Sequence, residues 1–173
     1  MKLFRQALVA FLANGLVLFI ILELNSFIAS YSLYITVGGI FVVYPALRMP
    51  LNTGFPVVLL TGALWDAITP APFGLYLFVL GFLYAGLYLQ RNRFRSRRTF
   101  HLAVVSLGTN FILLLVVSVW FLPSAAFFSY ASRCAIELLL SEAVVVLLAY
   151  WIFDLQEVSV SLVGAQPTPE ELS

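Results

Sequence analysis

The sequence predicts an all-α, polytopic membrane protein, about six transmembrane helices in one bundle, on three observations. Of the 173 residues, 62% are hydrophobic and only 10% are charged, whereas soluble domains run near ~45–50% apolar and ~25% charged. Apolar runs near the length needed to cross a bilayer recur along the chain, broken by Pro, Gly and Asn. Eight of the nine Lys and Arg residues fall on one side of the membrane if every run crosses, as the positive-inside rule requires.

The runs lie at about Ala7 to Ile28, Tyr31 to Leu47, Phe55 to Thr69, Phe73 to Gln90, Leu102 to Leu122 and Cys134 to Phe153. The first follows Lys2 and Arg5 as a signal peptide would, but no small-x-small cleavage site is convincing, so it reads as a retained anchor; cleavage after Ala29 is the alternative. Pro50, Asn52 and Gly54 separate runs two and three, Pro70 and Pro72 separate three and four, and Pro123 follows run five. Each break would expose unsatisfied backbone if it lay in lipid. Runs two and three rise only about 25 Å and about 22 Å against a hydrocarbon core of about 30 Å. A re-entrant pair, and a total of four spans, are the rival readings. Tyr31, Tyr34, Tyr44, Trp120, Tyr150 and Trp151 sit near expected interfaces and favour spanning.

With the N-terminus inside, Lys2, Arg5, Arg48, Arg91, Arg93, Arg95, Arg97 and Arg98 are cytoplasmic and only Arg133 is outside. The expected location is a cell inner membrane, multi-pass, with both termini cytoplasmic. Residues 1–153 form the bundle and 154–173 a cytoplasmic, disordered tail carrying Asp154, Glu157, Glu170, Glu171, Pro167 and Pro169. The basic loop Arg91 to Arg98 is explained by cytoplasmic retention, and anionic headgroups attract it by about 1 kcal/mol per basic side chain.

Carboxylates inside spans are unfavourable by several kcal/mol and need an explanation. They are Glu23, Asp66, Glu137 and Glu142. Arg133 lies four residues before Glu137 on one helix face, and it is expected to pair with at least one of them, Asp66 by preference, tying the third and sixth helices together. A proton or cation site is the functional alternative. Glu137 and Glu142 point about 140° apart and do not form a dyad. Asn14, Ser106, Thr109 and Asn110 supply interhelical hydrogen bonds. Gly74, Gly81 and Ala85 recur at spacings of seven and four and form a small-residue seam along the fourth helix, where a neighbouring helix can approach closely.

Signatures of catalysis are absent. His101 is the single histidine and Cys134 the single cysteine, so neither a histidine metal pair nor an internal disulfide can form, and no Gly-rich phosphate loop occurs. The chain reads as a non-enzyme without a cofactor. Its near-neutral net charge of +1 gives no reason to expect nucleic acid.

From Thr53 to Arg98 the sequence resembles the MreD family of rod-shape-determining membrane proteins. The resemblance rests on Gly54, Gly62 and Asp66, then Pro70 and Pro72, then Gly74, Tyr84 and the arginines, with Gly62-Ala-Leu-Trp-Asp66 followed by Phe73-Gly74 the most telling part. It covers about a quarter of the chain closely, and Pro45 stands late in its run compared with the family pattern. The resemblance implies a scaffold that associates with an MreC-like protein and, through it, with MreB and the elongation-phase peptidoglycan synthases. It also implies a fold like that of the S components of energy-coupling-factor transporters, and a vitamin-capturing S component is the competing function. For that rival, Glu23, Asp66, Glu137 and the aromatics near Trp65 would line a pocket. Ala7, Ala10 and Ala13 are spaced by three, not by the four that those proteins use to dock. A channel would want a polar stripe through the membrane, which the crowding of the carboxylates in the outer half does not give.

Overall fold

A computed structural model describes residues 2–92, 99–122 and 127–162. The described residues form an all-α bundle without strands: α1 (Lys2–Ile28), a 3-10 turn (Ala29–Tyr31), α2 (Gly38–Arg48), α3 (Leu51–Ile68), α4 (Leu75–Gln90), α5 (Thr99–Trp120) and α6 (Phe127–Leu162). Helices α1, α3, α5 and α6 are long and apolar enough to cross a membrane, and α4 is a shorter apolar helix. Phe19, Phe27, Phe78, Phe82 and Leu147 point outward, as they must in a protein whose solvent is hydrocarbon. This is a polytopic helical membrane protein.

The second run behaves differently from a simple span. Only Gly38–Arg48 is helical, and an 11-residue helix rises about 16 Å. Residues 33–37 approach it without regular structure. Non-helical backbone is tolerated at membrane depth only where protein satisfies it, and here side chains do so. Asn25 of α1 accepts from the Ile35 amide at 2.7 Å and donates to the Ile35 carbonyl at 2.9 Å. Ser141 of α6 accepts from the Thr36 amide through its hydroxyl at 3.0 Å. Every residue from Gly38 to Ala46 is buried, so α2 is the centre of the bundle, with α5, α4, α3 and α6 packed around it.

Helix limits also move. Asn52 and Gly54, expected in a break, lie inside α3, because Pro50 alone serves as its N-cap and its carbonyl accepts from the Thr53 and Gly54 amides. Helix α6 starts at Phe127, ahead of Cys134, and runs past Phe153 to Leu162. Gln156 explains the extension: it is buried and donates to Asn14 of α1 at 3.1 Å. Helical structure therefore covers Asp154 and Glu157; residues 163–173, including Pro167, Pro169, Glu170 and Glu171, lie outside the described residues.

Packing around α2 is aromatic. Trp65 meets Phe41 edge-on with ring centroids 5.6 Å apart and stacks on Tyr76 at 4.4 Å, while Tyr44 stacks on Phe153 at 6.4 Å.

Candidate functional site

The sequence places an acidic residue two positions before the end of α3, and the structure gives it one task. Helix α4 begins after a turn in which Gly74 adopts φ 104°, a left-handed conformation open to glycine. The first amides of a helix lack intrahelical acceptors and carry the positive end of its dipole. Asp66 is 4% exposed and accepts three of the amides there: Gly74 and Leu77 on Oδ2, each at 3.0 Å, and Tyr76 on Oδ1 at 2.9 Å. A carboxylate that sits in an apolar bundle is thereby stabilised by backbone alone.

The neighbouring motif residues belong to the same joint. A Cβ on Gly62 would lie 2.7 Å from Leu77 Cα and 3.1 Å from the Tyr76 carbonyl oxygen, so only glycine lets α3 approach α4 this closely. A Cβ on Gly54 would lie 2.7 Å from the Tyr84 hydroxyl. The small-residue seam thus lies on α3, opposite the expectation of a seam on α4. Gly81 does face Leu59 of α3, but Gly74 precedes the helix and Ala85 is exposed.

The preferred pairing of Asp66 with Arg133 is not formed. Arg133 bonds Glu137 of its own helix, Nε to Oε1 at 3.0 Å. The reason is that the α4 amides already occupy both Asp66 oxygens, while Glu137 is one turn along α6 from Arg133. The Arg133 side chain is 49% exposed. For such a pair, Arg133→Ala is expected to change unfolding stability by no more than about 0.5 kcal/mol, read as an unchanged melting curve in detergent.

Glu23 is exposed on α1. Glu142 of α6 accepts from Asn110 Nδ2 at 3.2 Å, and Asn110 Oδ1 accepts from the Gly39 amide at 3.3 Å, which links α6, α5 and α2. A second polar junction centres on Asn14, whose amide donates to the Phe41 carbonyl and to Thr61 Oγ1, both at 3.3 Å, and whose oxygen accepts from Gln156. One side chain so joins four helices. Asn14→Leu is expected to lose about 1–3 kcal/mol by leaving Gln156 with an unpartnered buried amide, and Asn14→Leu with Gln156→Leu should recover part of that loss in the same denaturation assay.

Where the α3–α4 connection meets α5 and α6, a chamber of about 360 Å³ opens, lined among others by Tyr34, Thr69, Tyr76, Ser118, Tyr130 and the Arg133–Glu137 pair. The volume is in the range of small-ligand sites. Sequence reasoning placed Arg133 and Glu137 on one helix face but did not place Tyr34, Thr69, Ser118 and Tyr130 beside them. Those residues come from four separate segments that share no spacing, so only the fold reveals their company.

Arg91 of the basic loop lies over the Tyr88 ring at 4.3 Å. Arg93, Arg95, Arg97 and Arg98 lie outside the described residues. His101 is exposed beside Phe100. Among the described residues no three His, Cys, Asp or Glu side chains gather as metal ligands. No family model, no curated protein and no solved structure matches the chain.

Proposed function

We propose that this chain is a non-enzymatic membrane scaffold subunit of the bacterial cell-shape (elongation) complex, of the kind its central segment resembles. It sits in the cell inner membrane with both termini cytoplasmic, associates with an MreC-like protein, and reaches MreB and peptidoglycan synthesis through that partner. The observation that carries the reading is the α3–α4 joint. Gly62, Asp66 and Gly74, three of the residues on which the resemblance rests, act together in one structural device, which supports reading them as one motif. The outward surface is apolar helix, and a surface of that kind works through contact with lipid and with other membrane helices.

A second reading draws on the chamber. A vitamin-capturing S component needs a cavity between helices near the outer face, and the Arg133 end of the bundle is the outer one in the proposed topology. One experiment separates the two. The tagged protein is extracted gently from its own cells and its companions are identified by mass spectrometry. An MreC-like protein and cell-wall synthases are expected; recovery of a paired ATPase with a coupling subunit would replace the scaffold reading by the transporter one.

A further inference from the structure

The chamber has a neighbour that changes what it can hold. Between α5 and α6 runs a groove of about 280 Å³ whose walls include Leu115, Leu122, Ala131, Cys134, Ala135 and Leu138. Leu114, Ser118 and Tyr130 line both spaces, and Tyr130 donates from its hydroxyl to the Ser118 carbonyl at 2.8 Å at this shared wall. A chamber that carries the Arg133–Glu137 pair therefore adjoins an apolar groove on the membrane-facing side of two helices. That is the division of an amphiphile into head and chain.

The charges specify the head. Arg133 uses Nε alone toward Glu137 Oε1, which leaves the guanidinium's other N–H groups to donate and the second carboxylate oxygen to accept. The described chamber residues carry one positive and one negative side chain. An anionic head would satisfy Arg133 but set a like charge against Glu137. A zwitterion with a phosphate and a primary ammonium satisfies both. A quaternary ammonium has no N–H to donate to the Glu137 carboxylate and so forgoes that charged hydrogen bond.

We propose that the chamber and groove bind one phospholipid with a phosphoethanolamine head, its phosphate on Arg133, its ammonium on Glu137 and one acyl chain along Cys134 and Ala135. This site is independent of the scaffold reading.

The full-length chain is equilibrated in micelles with equal amounts of phosphoethanolamine, phosphocholine and phosphoglycerol lipids, and retained mass is read by native mass spectrometry. One lipid per chain is expected, with the ethanolamine lipid enriched roughly fivefold or more, as one or two charged hydrogen bonds predict. Arg133→Gln and Glu137→Gln should each abolish the preference, and Ala135→Trp, at an exposed groove position, should abolish retention. The single cysteine gives a second readout in the folded protein. Cys134 should react more slowly with a maleimide in ethanolamine-lipid vesicles than in choline-lipid vesicles, and Glu137→Gln should erase the difference. Equal retention of the three lipids, unchanged preference in both glutamine variants, equal Cys134 rates, or a retained mass of vitamin size in place of a lipid would each overturn the proposal.

Discussion

Asp66→Ala is expected to destabilise the protein by about 3–5 kcal/mol, because it strands three helix-start amides at once, those of Gly74 and Tyr76 buried and that of Leu77 part-buried. Gly74, Tyr76 and Leu77 have their N–H groups directed at the carboxylate, and the α4 backbone offers them no other acceptor. Asp66→Asn should be milder, at about 1–3 kcal/mol. Its carbonyl can take the place of Oδ2 and keep the Gly74 and Leu77 bonds, but its amide then opposes the Tyr76 N–H. Chemical denaturation in bicelles measures the order Ala, Asn, native. Hydrogen exchange locates it, since protection should fall first at Tyr76 and Leu77. The combination Asp66→Arg with Arg133→Asp should rescue nothing relative to Asp66→Arg alone. A rescue would mean that the two side chains pair in the membrane, contrary to the arrangement described above.

The contrast between Asp66 and Arg133 shows what sequence reasoning could reach. An acidic residue in an apolar run demands a partner, and that demand was legible from the letters. The partner was not, because charge logic searches for a cation and backbone amides carry no letter of their own. Gly74, expected as part of a helical seam, was the available signal: a glycine after Pro70 and Pro72 marks a helix start as readily as a helix face. Apolar length located α1, α3, α4 and α5 to within five residues at each end, and α6 apart from its extensions, since run length is a property of one segment read alone. The second run failed for the opposite reason. Residues 33–37 stay non-helical because Asn25 and Ser141, on α1 and α6, satisfy Ile35 and Thr36, and no local pattern encodes partners so distant.

Gly39→Ala is the second large effect, at about 2–4 kcal/mol, and it tests whether α2 is as tightly held as its burial implies. A methyl at this position would overlap the Ser106 carbonyl oxygen and lie 2.9 Å from the Asn110 backbone nitrogen. Both are backbone atoms of α5, so no rotamer change relieves them and the helices must separate. Separation also breaks the bond from the Gly39 amide to Asn110, and Asn110 is the partner of Glu142. Gly38→Ala should cost less, about 1–2 kcal/mol, since it meets the side chains of Leu113 and Trp65, which can shift. Gly15, Gly86 and Gly108 have nothing within 4 Å of an added Cβ, and alanine there should be neutral or stabilising by up to about 1 kcal/mol through helix propensity. Melting temperatures of the five alanine variants in one lipid environment give the comparison. If Gly39→Ala melts with the Gly108→Ala control, α2 has room beside α5, and the close approach of these two helices does not determine the stability of the bundle.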